Sequence, residues 1–218
     1  MGRLVKLRIL VFALILALAI IAGDSFGTPE EVGITKSYQK AFEISYRMTS
    51  SAKYDEAMRP LMEIHDQNPS DYTINLRLGY LNNLKGDFDA SIRFYKSAVK
   101  LKPKALEPLL GLIIPIVAKM NYREVVAVGL SALKLDPNNY TCLSKVAYSY
   151  YLLGEYAKAA TSYKKILELY PTDLAMRNGL GWSYLEAGNK DKAKNEFIQI
   201  LLLSPYNQSA LFGYHKCR

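Results

Sequence analysis

Cysteine and histidine are nearly absent from this chain of 218 residues, at two each. Two cysteines are too few for a disulfide scaffold or a zinc ribbon. His65 and His215 have no Cys, Asp or second His at metal-ligand spacing, so no metal centre and no histidine triad is expected. The chain has no GxGxxG, no P-loop, no HExxH and no GxSxG, so nothing points to a cofactor or to an enzyme. Tryptophan occurs once and phenylalanine seven times, against 17 tyrosines. Half of the residues are apolar and 22% are charged, which excludes a disordered tail and allows a sizeable core.

The N-terminus reads as a targeting segment. Arg3, Lys6 and Arg8 precede an uncharged run of 14 residues, Ile9 to Ala22. As a helix that run rises about 21 Å, short of a ~30 Å hydrocarbon core. A basic start, a short apolar run and then small residues is the secretory pattern, with Ser25-Phe26-Gly27 placing small residues before a cut after Gly27 and Gly23 as a second candidate. Residues 1–27 are therefore expected to be a signal peptide. The alternative is an uncleaved anchor, lengthened by Leu4, Val5 and Leu7, that tethers the chain to a membrane through residues 4–22. Both readings export the remainder, because the positive end stays inside. The formal charge of +8 falls to +6 without residues 1–27, a value that a solvated helix surface explains. With export, nucleic acid is not expected as a partner.

A period of 34 residues organises the rest. Prolines recur at 69, 103, 137, 171 and 205, and Leu101, Leu135, Leu169 and Leu203 stand two residues before four of them. Asp71, Asn139, Asp173 and Asn207 follow at N-cap distance for a next helix. A fixed period of this size means stacked helix–turn–helix units. Gly86, Gly154 and Gly188 mark the turn within a unit, as left-handed stops.

These residues resemble the tetratricopeptide repeat (TPR), whose pattern is W-x2-L-G-x2-Y, then A-x3-F, then P. Numbered from 174, the best copy matches with Leu180, Gly181, Tyr184, Ala193, Phe197 and Pro205, and departs with Arg177 in the Trp position. Copy 140–173 holds Leu143, Val146, Ala147, Tyr150, Ala159, Tyr163 and Pro171, and copy 72–105 holds Asn75, Leu78, Gly79, Asn82, Ser91, Tyr95 and Pro103. Copies 38–71 and 106–139 are degenerate; the second has Ile113 for the small residue and Gly129 for the aromatic one. The resemblance implies an all-α fold: an α-solenoid of five stacked TPR units over 38–207, a lead-in at 28–37 and a short cap helix within 208–218. Cys142 and Cys217 lie about two units apart, too far to bridge. Pro60 and Pro115 fall inside helices and should kink them, Pro115 either as an ordinary feature of a degenerate copy or as a bend that fits the groove to one ligand.

By resemblance, one stripe of each first helix lines a concave groove that takes partners. Repeat position 9 is Tyr46, Tyr80, Ile114, Tyr148 and Trp182; position 5 includes Phe42, Leu76, Leu110 and Asn178; position 12 includes Tyr151 and Leu185. The groove is expected to be aromatic and nearly neutral. The position-9 aromatics have an alternative role, packing between neighbouring first helices. The Lys, Asn and Arg set by which some TPR domains grip the carboxylate terminus of cytosolic chaperones is missing from every frame of three repeats. The expected function is that of an exported interaction module or scaffold that binds a protein or peptide, in cell-envelope assembly, secretion or maintenance. A glycan-strand binder and a self-assembling scaffold, hence a homo-oligomer, are the alternatives.

Overall fold

The structure is a computed structural model and describes residues 36–218. The signal segment 1–27, the tether 4–22 and nearly all of the lead-in lie outside the described residues. Among the described residues there are eleven helices and no strand. None of these helices is long and apolar enough to cross a membrane. The chain divides into two compact units at residue 64.

The first unit carries α1 (Lys36–Ser50) and most of α2 (Tyr54–Gln67). Ala41, Ser45, Ala57 and Leu61 are its buried residues. Tyr38, Phe42 and Tyr46 form a row of ring contacts along α1, with centroids 5.1 and 6.2 Å apart. Pro60 lies inside α2, which remains helical through it.

The second unit is four helix pairs and a single closing helix. The pairs are α3 (Tyr72–Lys85) with α4 (Phe88–Leu101), α5 (Glu107–Ala118) with α6 (Tyr122–Leu135), α7 (Tyr140–Leu152) with α8 (Tyr156–Leu169), and α9 (Leu174–Glu186) with α10 (Lys190–Leu203). Helix α11 (Gln208–Lys216) closes the array. The fold is thus the all-α solenoid that the 34-residue period predicts. Each helix contacts the next in sequence, and successive first helices also touch one another. That places α3, α5, α7, α9 and α11 on one layer of this unit.

Local chemistry sets the helix ends. The carboxylates of Asp71 and Asp173 and the side-chain carbonyls of Asn139 and Asn207 accept the backbone N–H of Ile74, Met176, Cys142 and Ala210 at 2.9–3.1 Å. Each is an N-cap at the residue the spacing marks. Gly86, Gly154 and Gly188 have φ of 87°, 76° and 80°. Ala52 and Met120 fill the same turn in the degenerate copies and take the same left-handed conformation, both with φ 55°. Helix α5 continues past Pro115, which is buried.

A second rule joins neighbouring repeats, and the consensus does not contain it. The aromatic residues of α4 and α10 each lie under two small residues, one in their own repeat and one in the next, and that of α8 lies under a glycine of the next repeat. A Cβ built on Gly79 would come within 2.9 Å of the Tyr95 ring, and one on Gly111 within 2.3 Å. Phe197 lies in the same way beneath Gly181 and Gly213, at 2.7 and 2.3 Å. Where α6 carries Gly129 instead of an aromatic, Val146 Cγ2 of the following repeat fills the space, 2.4 Å from where a Cβ would stand. One core cluster runs through such contacts: Tyr95, Leu112, Ile113, Ile116, Val125 and Cys142 belong to it, and it crosses two repeat boundaries.

Hydroxyls and guanidinium groups tie the repeats at their edges. Tyr72 donates to Glu107 at 3.1 Å and Tyr140 to Asp173 at 2.6 Å. Arg177, the departure from the Trp position, bonds Glu196 at 2.8 Å and the carbonyl of Pro171 at 2.7 Å. The two cysteines are free; Cys142 is buried, which pushes its thiol up to about 11.

Candidate functional site: an aromatic surface and pocket on the first helices

Position 9 of the first helices faces solvent along most of the second unit. Tyr80 is 42% exposed, Ile114 56% and Tyr148 50%. In the first unit Tyr46 is 60% exposed, and Phe42 is half-buried in the ring row of α1. Trp182 behaves differently. Its ring is half-buried, edge-on to Phe197 at 5.5 Å and tilted against Phe212 of the closing helix at 6.0 Å. Packing and exposure therefore divide the column: the tyrosines and Ile114 are presented, and Trp182 is shared with the cap.

The neighbouring positions are half-buried supports. Leu76 and Leu110 pack against the core of the repeats around α5, and Leu185 against that of the last repeat. Tyr151 packs onto the core between α7 and α9 and meets Tyr156 edge-on at 5.5 Å. Arg77 lies over the Tyr80 ring at 5.3 Å, a cation–π contact that holds the ring on the surface.

Between α7 and α9 this surface deepens into a pocket of about 530 Å³. Tyr148, Tyr151 and Trp182 form its aromatic walls, with Asn178, Ser144 and Lys145 among its polar lining. Four of the residues singled out from sequence thus meet at one place. The other six lining residues were not singled out as site residues, Tyr163 and Met176 among them. Tyr163 reaches it from the second helix α8, because Gly179 has no side chain: a Cβ there would come within 2.4 Å of Tyr163 Cζ. Met176 adds a flexible apolar wall.

Hydrogen bonds fix part of this lining. The Trp182 indole N–H donates to Ser209 Oγ at 2.9 Å, and Ser209 in turn donates to Asn178 Oδ1 at 3.1 Å. Indole nitrogen is a donor only and an amide oxygen an acceptor only, so each bond has one direction. Ser144 donates its own hydroxyl to the carbonyl of Thr141 at 3.0 Å. Burial raises the Tyr163 hydroxyl above the ordinary tyrosine range, with Tyr148 and Tyr151 adding to the effect. Tyr151 is raised by burial first and then by Glu186 nearby. No three His, Cys, Asp or Glu side chains are grouped for a metal ion among the described residues.

A different, shallower cleft of about 400 Å³ lies between second helices, with Val99, Leu109, Leu112 and Val128 at its base. The ion pair of Lys96 with Glu124 at 2.8 Å crosses its rim.

Stacked helix pairs, paired glycines and a presented first-helix face define a class, the helical repeat proteins with an interaction surface. Residues 72–105 and 150–210 each match the tetratricopeptide repeat family. The crystal structure of MamA superposes with a TM-score of 0.72 at 19% identity, covering 79% of this chain and 96% of that one. A tetratricopeptide repeat protein from Parabacteroides merdae gives 0.73 at 19% identity, covering 84% and 73%. Among curated proteins, the human general transcription factor 3C polypeptide 3 is 27% identical over 146 residues, which is 65% of this chain and 16% of that relative's length. The structural likenesses show the fold alone. This fold supports a protein–protein interaction module.

Proposed function

We propose that this chain is an exported interaction module that binds a protein or peptide segment along its first helices, as a scaffold in cell-envelope assembly or secretion, without catalytic activity of its own. The observation that carries the reading is the exposed run of Tyr80, Ile114 and Tyr148 leading to an aromatic pocket. Large apolar side chains presented together, rather than singly, mark an interaction site. Tyrosine and tryptophan suit such a role, since they bury much area at little entropic cost and keep a polar end. The basic start and 14-residue apolar run support export.

The test is affinity capture from a native envelope extract with the wild type and a Tyr80→Ala, Ile114→Ala, Tyr148→Ala triple variant. A specific partner retained by the wild type and lost by a folded triple variant supports the groove. Equal capture by both removes it. A shift of Trp182 fluorescence by soluble oligosaccharides alone would instead favour a glycan ligand. Mass spectrometry of the exported chain should show a start at Thr28 or Asp24; a soluble cytoplasmic chain beginning at Met1 would overturn export.

A further inference from the structure

The pocket between α7 and α9 contains a hydroxyl that the fold itself does not use. Tyr163 is 4% exposed, yet it lines the pocket, and its ring ends beneath Gly179, another lining residue. Among the described residues its hydroxyl makes no hydrogen bond. The ring is buried, but the oxygen itself is open to the pocket, where an acceptor on a ligand can reach it. The sequence of the array frames this hydroxyl. Tyr95 and Tyr163 occupy the aromatic position where another full repeat follows, whereas Phe197 occupies it beneath the closing helix.

Two more donors line the same pocket. The relay from Trp182 through Ser209 uses Asn178 Oδ1 as an acceptor, which leaves the Asn178 amide NH2 free. Lys145 pairs with no carboxylate among the described residues, and it occupies the position held by glycine in the neighbouring repeats, at Gly111 and Gly179. Gly129 explains that exchange: with no aromatic reaching forward from α6, the next repeat has no need of a glycine there. No carboxylate lines the pocket; Glu186 is near enough to act on Tyr151, one of its walls. The site therefore offers three free donors, one of them charged, inside aromatic walls, and no anionic acceptor.

We propose that this pocket takes a carboxylate borne next to a bulky apolar side chain of a peptide, with Tyr163, Asn178 and Lys145 as its donors and Tyr148, Tyr151 and Trp182 around the apolar body. This names the ligand chemistry of the interaction surface and rests on that reading. An acceptor group satisfies all three donors, a charged one engages Lys145 most strongly, and a cationic side chain is disfavoured by the same lysine. The carboxylate belongs either to an Asp or Glu side chain or to a chain terminus.

The test uses Trp182, the sole tryptophan, as the probe. Three acetylated and amidated pentapeptide pools carry Glu, Gln or Lys beside two mixed positions of Leu, Phe and Tyr; a fourth pool has Gln there and a free C-terminus. The Glu pool is expected to bind at least about tenfold more tightly than the Gln pool, with the Lys pool weakest, as charge-assisted hydrogen bonds imply. The fourth pool binding as tightly as the Glu pool assigns the site to a chain terminus, and as weakly as the Gln pool to an acidic side chain. Tyr163→Phe, which keeps the ring and removes only the unused hydroxyl, should cut Glu-pool affinity several-fold while leaving the denaturant midpoint unchanged. Lys145→Gln should erase the preference for Glu over Gln. Equal binding of the Glu and Gln pools overturns the carboxylate and leaves the peptide surface standing. Binding by no pool overturns both.

Discussion

The ring of Tyr163 lies directly under Gly179, with Cζ 2.4 Å from the place where a Cβ would stand. The two residues are 16 apart, as are Tyr95 and Gly111, and Phe197 and Gly213. Gly179→Ala is expected to destabilise by about 1–3 kcal/mol through overpacking, even though alanine is the better helix former. In a Tyr163→Leu background the same change should cost much less, since the shorter side chain withdraws from the glycine. Urea midpoints of the four chains form a double-mutant cycle. An equal cost of Gly179→Ala in both backgrounds would show that the contact does not govern this interface.

Met120 offers the opposite case, a side chain where the backbone favours none. Its φ of 55° matches the turn that Gly86, Gly154 and Gly188 make at the same repeat position. A left-handed residue with a Cβ costs about 1–2 kcal/mol. Part of the relief is offset by the freedom glycine adds to the unfolded chain, about 0.4–1 kcal/mol. Met120→Gly should therefore stabilise the protein by roughly 0.5–1 kcal/mol. The readout is a higher urea midpoint at unchanged slope; a lower midpoint would mean that the methionine side chain contributes more by packing than its backbone costs.

The fold was readable because it is encoded once per 34 residues, by residues whose roles are local. Asp71, Asn139, Asp173 and Asn207 cap helices, and Gly86, Gly154 and Gly188 end them, so propensity and spacing suffice. The pocket was half readable. Tyr148, Tyr151, Asn178 and Trp182 fall in first-helix positions and were accessible to a repeat-by-repeat comparison. Tyr163 was not, because its second-helix position reads as core, and it is core by burial. Only the link between an aromatic residue and a glycine in the following repeat shows that its hydroxyl end reaches the first-helix layer. That signal was present at Gly111, Gly179 and Gly213, and it spans a repeat boundary that a consensus confined to one repeat does not cross. The half-burial of Trp182 was hidden for a related reason: Phe212 and Ser209, which hold it, belong to the closing helix.

Buried tyrosines also make the stability depend on alkaline pH. An unfolded tyrosine ionises near 10. Burial holds Tyr95 up to about 12, and Tyr163 is raised for the same reason. A raised folded value favours the protonated, folded state, so this contribution is complete below about pH 10 and is lost as pH rises through about 12. The expected outcome is a thermal midpoint that falls between pH 10 and 12, with tyrosinate absorbance from these two residues appearing only as the chain unfolds. In the Tyr95→Phe, Tyr163→Phe double variant the fall should be shallower over the same interval. An unchanged slope would mean that the hydroxyls are solvated well enough to ionise in place.

Tyr148 and Trp182 share a repeat position and should respond differently to truncation. Tyr148 is half-exposed, whereas Trp182 is held by Phe197, Phe212 and Ser209. Tyr148→Ala should change the denaturant midpoint by no more than about 0.5 kcal/mol equivalent, as surface substitutions do. Trp182→Ala should cost about 3 kcal/mol, the lower end of buried aromatic truncations, and loosen the closing helix first. Hydrogen exchange in 208–216 would report that loosening. For binding the order reverses in clarity: Tyr148→Ala should weaken peptide affinity by roughly 10-fold or more at near-native stability, which is the signature of a contact rather than a support. Trp182→Ala removes both functions and decides nothing about the pocket, so Trp182→Phe is the informative partner, keeping an aromatic ring beside Phe197 and Phe212 and deleting the bond to Ser209. Loss of affinity in Trp182→Phe with the midpoint retained would show that the relay to Asn178 prepares the pocket. A Tyr148→Ala chain that binds as well as the wild type would move the ligand away from this pocket altogether.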